Sequence, residues 1–244
     1  FTEQSSIGIK RKKGSFFIKN NQIGFLDLDL NTDNRGLIFD IFIELGKSKK
    51  INEINSQSIS TLKRSNKLIN NSFKKDRLIS KKFIQILKSE QNLSSILRTM
   101  KNVGVLQSYI PDFAEIVGQM QFDLFHIFTV DEHTFKVVRN MRQMKINYSD
   151  EFRLENELIK KIPKIEILYI AGLFHDLGKG KGGNHSEIGA KISRDFAKRL
   201  GLSLADSDLI SWLVLHHLKM SSISQRQDIS DTKTISEFAD IVLN

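Results

Sequence analysis

His175 and Asp176 stand side by side at the end of the apolar run LYIAGLF, and the loop GKGKGGN then leads to His185. A buried carboxylate is costly unless it is paired or holds a metal. Four other histidines lie in the same half of the chain: His126, His133, His216 and His217. A single histidine on an apolar helix face is ordinarily a core residue. Several of them converging with one carboxylate instead suit a divalent transition metal. The sequence has no cysteine, so any such ion would be held by nitrogen and oxygen alone. Asp176 has two oxygens and could bridge two ions about 3.5–4 Å apart, the spacing of two-metal phosphoesterases, where bound water becomes a nucleophile near neutral pH.

The loop has its own reading. Its glycines let the backbone approach a ligand closely. Lys179, one helical turn beyond Asp176, is placed to neutralise charge on a phosphoryl oxygen. Lys181 offers a second ammonium for substrate binding. An ordinary glycine-rich turn between helices is the plain alternative. The nucleotide-binding pattern GxxxxGK[ST] is absent.

Helices must position these groups. In FDLFHIFTVDEHTFKVVRNMRQM, His126, Val130, His133, Val137, Met141 and Met144 recur at gaps of four and three, which predicts one face of a helix. The run from Ile165 to Phe174 contains one charge, Glu166, and predicts a helix buried on most sides. HSEIGAKISRDFAKRLG predicts a helix with Ile188, Ile192, Phe196 and Leu200 inward and a C-cap at Gly201. SDLISWLVLHHLKM sets His216 and His217 four residues after Trp212 and Leu213, and TISEFADIVLN predicts one more helix. Upstream, SFFIKNNQIGFLDLDL (15–30) predicts a hairpin about Asn20-Asn21. The stretch 47–60 reads as a polar connection, and 79–90 and 93–110 as amphipathic helices.

The 244 residues are 40% hydrophobic with two prolines, which suits a mainly α fold. No apolar run reaches the ~20 residues of a membrane-spanning helix. The net charge of +9 comes from scattered lysines, as in KSKK (47–50), so no nucleic-acid partner is expected. A cytoplasmic location is expected. The chain starts without methionine and stops within an apparent helix, as a piece of a longer protein would.

The order H…HD…H…HH…D resembles the HD superfamily of metal-dependent phosphohydrolases. Over a longer span, strongest in 98–134, 168–190 and 212–231, the sequence resembles the bifunctional uridylyltransferase/uridylyl-removing enzymes of the PII signalling protein. That resemblance implies an HD-type helical bundle (121–244, truncated at its C-terminus), preceded by a hairpin and linker (1–57) and a helical scaffold (58–120). It implies hydrolysis of the phosphodiester joining UMP to uridylylated PII, supported by Mg or Mn. It also implies that a nucleotidyltransferase domain and glutamine-sensing C-terminal domains lie outside this sequence. Carried onto the matching positions, the metal ligands would be His133, His175, Asp176, His185, His216 or His217, and Asp228, with Asp231 as its alternative. His126 would line the cleft or pack beside it. A different HD nucleotide phosphohydrolase and a non-catalytic regulatory module are the other readings.

Overall fold

The computed structural model describes residues 10–12, 15–47, 49–89, 91–120, 128–146 and 150–242. Its N-terminal part holds the hairpin, with β1 (Lys10–Lys12), β2 (Phe16–Lys19) and β3 (Gln22–Phe25) running antiparallel in order. Asn20 and Asn21 make the turn with φ of 51° and 61°. Asparagine tolerates this left-handed region, and a two-residue turn with both φ positive matches the twist of the strands. α1 (Leu37–Lys47) follows, and then β4 (Glu53–Ile54) joins β3 in parallel.

α1 is a finding against expectation, because the sequence reading placed it within a hairpin-and-linker segment. Ile38, Phe39, Ile41 and Phe42 are all fully buried. In LIFDIFIELGK the polar residues Asp40, Glu44 and Lys47 recur at gaps of four and three and form a narrow stripe on an otherwise buried helix. The stretch read as a polar connection holds β4 and the start of α2 (Ser56–Ser65), whose first turn is capped by Asn55. α3 (Asn71–Lys75) and α4 (Arg77–Leu87) are capped by Asn70 and Asp76. The predicted helix 93–110 is two helices, α5 (Leu93–Asn102) and α6 (Val105–Tyr109), because Gly104 turns between them at φ +82°. Pro111 opens α7 (Pro111–Ala114) at a position where its missing N–H costs nothing.

The C-terminal part contains α8 (Val130–Ile146), α9 (Arg153–Lys160), α10 (Ile165–Phe174), α11 (His185–Leu200), α12 (Leu204–Leu215), α13 (Lys219–Arg226) and α14 (Thr232–Val242). A short 3-10 helix, Leu177–Lys181, links α10 to α11. α10 is buried along all but one of its residues, as its sequence predicts, and Glu166 is paired with Lys88 at 2.9 Å.

Two predicted faces are rotated. On α8 the buried stripe is Val130, Asp131, Thr134, Phe135 and Val138, while the face of His133, Val137 and Met141 is half-buried. On α11 Phe196 and Leu200 are buried as predicted, but the stripe continues through Gly189, Ala190, Ser193 and Ala197, with Ile188 and Ile192 at its edge. Small residues there let α11 approach its neighbours: a β-carbon on Gly189 would fall 3.4 Å from the Phe174 carbonyl oxygen.

One apolar cluster runs through both parts. Phe39 and Phe83 touch Tyr109, Phe83 and Tyr109 touch Phe196, and Phe196 lies 4.6 Å from Phe174, the residue before His175. Arg199 pins the junction. Its guanidinium donates 3.0 Å bonds to the carbonyls of Lys74, in the last turn of α3, and Tyr109, the last residue of α6, and stacks on Tyr109 and Phe196. A cation at two helix C-termini meets the negative ends of both dipoles. Among the described residues no helix is long and apolar enough to cross a membrane.

Candidate metal centre

α10 ends at Phe174, so His175 and Asp176 sit where the helix unwinds, both buried. Asp176 is the hub. Its Oδ2 lies 3.1 Å from His175 Nε2, 3.7 Å from His133 Nε2 and 2.8 Å from Lys179 Nζ. Its Oδ1 faces His217 Nε2 at 3.7 Å and His185 Nε2 at 3.9 Å. The carboxylate therefore has one oxygen toward each of two groups, His133–His175–Asp176 and Asp176–His185–His217, whose donor atoms lie within 4.8 Å of one another. Atoms bound to one ion at about 2.1 Å are separated on this scale.

The same local device orients two of the rings. His175 Nδ1 is 2.8 Å from the Gly172 carbonyl, and His217 Nδ1 is 2.7 Å from the Val214 carbonyl. A carbonyl only accepts, so each Nδ1 carries a proton, and each Nε2 is turned toward Asp176. Both residues follow a helix end, where carbonyls three residues back lack a helical partner.

Three buried atoms in the second group, Asp176 Oδ1, His185 Nε2 and His217 Nε2, have no hydrogen-bonding partner among the described residues. Orphaned polar atoms are rare in protein interiors, and three such atoms of ligand type within 4.8 Å of one another fit a cation. Electrostatics agree. Burial works against the ionised form of Asp176, but the neighbouring His175 and Lys179 outweigh it and hold the carboxyl well below the usual range. Burial lowers the pKa of both His185 and His217, keeping them in the neutral form that ligates.

Glycines in the loop serve the protein's own backbone. A β-carbon on Gly178 would fall 2.1 Å from the His185 carbonyl oxygen, and one on Gly180 2.8 Å from Glu115 Cβ. The structure thus brings together His133, His175, Asp176, Lys179, His185 and His217.

Three expected site residues stand elsewhere. His216 stacks on Trp212 with ring centres 4.8 Å apart and belongs to neither group, because the chain leaves α12 at Leu215 and turns consecutive side chains apart. Asp228 is exposed and its Oδ1 accepts from the Ser230 N–H, closing a turn, so it too is outside both groups. Asp231, its alternative, is likewise exposed and accepts from the Lys233 N–H. Lys181, expected to bind substrate, pairs with Glu115 at 2.7 Å and Asp112 at 3.0 Å, which raises its pKa and fastens the loop to α7. His126 lies outside the described residues.

Sequence reasoning also missed residues beside the site. Asp131 and Glu132, just before His133, are engaged by Lys101 and Arg98 of α5. The signal was the acidic pair opening α8.

Residues 16–109 match the uridylyltransferase GlnD third domain and residues 130–244 match the HD domain. The chain is 43% identical over 206 residues to the bifunctional uridylyltransferase/uridylyl-removing enzyme of Ectopseudomonas mendocina, covering 84% of this chain and 23% of that protein. It is 42% identical over 203 residues to the enzyme of the same name from Azotobacter vinelandii, and 41% identical over 203 residues to that of Nitrosococcus oceani. In both cases 83% of this chain and 23% of the relative are covered, so the chain spans about a quarter of the curated relatives it matches. Over this span the chain pairs a match to the GlnD third domain with a match to the HD domain, and it is similar to the bifunctional uridylyltransferase/uridylyl-removing enzymes.

Proposed function

We propose that this chain carries the uridylyl-removing half of that bifunctional activity, the metal-dependent hydrolysis that releases UMP from uridylylated PII protein. The observation that supports the reading most directly is the division of the Asp176 carboxylate between two histidine groups. The side chains of His185, His217 and Asp176 fit a divalent cation, and the family resemblance makes Mg or Mn the expected occupant. A bound divalent cation supplies Lewis acidity for attack of water on a phosphodiester.

The chain's own residues do the rest. Asp176, His133 and His175 form one half of the centre, and Asp176, His185 and His217 the other. Lys179, held 2.8 Å from Asp176, places an ammonium where a phosphoryl oxygen would arrive and offsets the charge that grows there. The Nδ1 bonds of His175 and His217 fix their tautomers, so their Nε2 atoms stay available as ligands. Loop residue Lys181, tied to α7, keeps Lys179 in register. The nucleotidyltransferase activity in the relatives' name, glutamine control and the PII partner are part of the same proposal for the whole protein.

Release of UMP from uridylylated PII in the presence of Mn2+, and its loss in Asp176→Asn, tests the reading. A chain that hydrolyses free nucleotides but leaves uridylylated PII intact would be a different HD phosphohydrolase. A chain that binds Mn2+ and hydrolyses neither would be a regulatory module.

A further inference from the structure

Four charged side chains join α5 to the first turn of α8. Lys101 Nζ is 3.0 Å from Asp131 Oδ2 and 2.8 Å from Glu132 Oε1. Arg98 reaches Glu132 Oε2 through Nη2 at 2.8 Å and through Nε at 3.1 Å. Both cations also lie over the Phe135 ring, at 5.7 Å for Arg98 and 5.5 Å for Lys101. The Asp131 side chain is 2% exposed, and its other oxygen accepts from the Gly118 N–H at 3.1 Å. The Val130 N–H donates to the Gln119 carbonyl at 3.0 Å, and the Gln119 side chain reaches the Lys179 carbonyl at 3.4 Å.

His133 is the next residue after this grip. It is the one ligand supplied by α8, and it comes from a half-buried face of that helix, whereas His175 and Asp176 are built into the core. Its place therefore depends on how the first turn of α8 is held. Ligand constellations need their atoms within about 0.5 Å of the working geometry. A buried carboxylate that loses its cation is driven to shift toward water.

We propose that Lys101, assisted by Arg98, is a positioning residue for the metal centre. By holding Asp131 and Glu132 it sets where His133 stands, and so sets the affinity of the His133–His175–Asp176 group. This rests on the functional reading above only in taking that group as a metal site. It assigns residues of the third-domain region to the HD centre.

The experiment uses the whole chain with Mn2+ as probe. Lys101→Met keeps the unbranched stem of the side chain, one atom shorter, and removes its charge. Calorimetric titration should show the binding event that is absent in His133→Ala weakened about 10–100-fold in Lys101→Met, the range seen when an outer support of a ligand is lost. The event that depends on His185 should be unchanged, and Lys101→Arg should restore the first. The imidazole resonances of His133 should shift in Lys101→Met while those of His185 stay in place. A folded Lys101→Met protein with an unaltered isotherm and an unshifted His133 overturns the proposal, as does equal weakening of both events. Should Lys101→Met not fold, Asp131→Asn, which keeps the oxygen that accepts from Gly118, carries the same expectations. If the wild-type chain takes up no Mn2+, the hydrolase reading fails, and the His133 resonances alone decide the positioning role.

Discussion

Gly178 lies against the backbone of His185, so closely that a β-carbon there would fall 2.1 Å from the His185 carbonyl oxygen. The two residues belong to different elements, the 3-10 turn after the His-Asp pair and the first turn of α11. Gly178→Ala must push α11 away from Asp176. The expected cost is about 1–3 kcal/mol of stability, measured by urea denaturation. Mn2+ uptake by the His185–His217 group should fall more than uptake by the other group.

Asp176→Asn removes the charge shared by both groups. Mn2+ binding should be lost at both, and UMP release should fall by more than the ~10–100-fold seen when only an outer support is removed. Far-ultraviolet circular dichroism should be unchanged, because the helices around it are held by apolar packing.

His216 and His217 are adjacent but differ in role. His217→Ala, like His185→Ala, should lower Mn2+ stoichiometry by about one per chain on elemental analysis. His216→Ala should leave the stoichiometry intact and cost about 0.5–1.5 kcal/mol through the lost contact with Trp212.

Arg199 holds the two parts of the chain together. Arg199→Met leaves the Lys74 and Tyr109 carbonyls without their donor and removes a cation from two aromatic faces. Hydrogen bonds to charged groups contribute about 1.5–3 kcal/mol each, so a loss of about 3 kcal/mol is expected from thermal unfolding.

Acid should weaken the grip on α8. Burial raises the pKa of Asp131, but bonds from the Thr129 side chain, Lys101 and the Gly118 N–H outweigh it and leave the carboxyl below its usual range. A depressed carboxyl contributes stability fully present above the unfolded value, ~3.9. That contribution is lost as pH falls through the lower folded value. Urea unfolding at pH 7 should therefore separate wild type from Asp131→Asn, and the difference should shrink below pH ~4.

Local chemistry was legible wherever the chain announces itself within a few residues. The Asn20-Asn21 turn, the nearly uncharged run of α10, the Gly201 cap and the His-Asp pair before a glycine loop are all patterns of neighbours. They sufficed to predict a hairpin, a buried helix and a cluster of histidines around one carboxylate in a mainly helical fold. α1 was missed although its signal was present, with Asp40, Glu44 and Lys47 recurring at helical gaps of four and three within an apolar run.

Tertiary structure alone decided the rest. Sequence spacing treats His216 and His217 alike, and only the turn after α12 sends one ring to Asp176 and the other to Trp212. It cannot tell that Lys181 meets Glu115, 66 residues away, or that Lys101 and Arg98 hold the acids before His133. Side-chain type and spacing set which groups can ligate, pair or cap, since those depend on covalent chemistry and helix periodicity. Which of them meet depends on how helices distant in sequence pack, and packing is a property of the whole core.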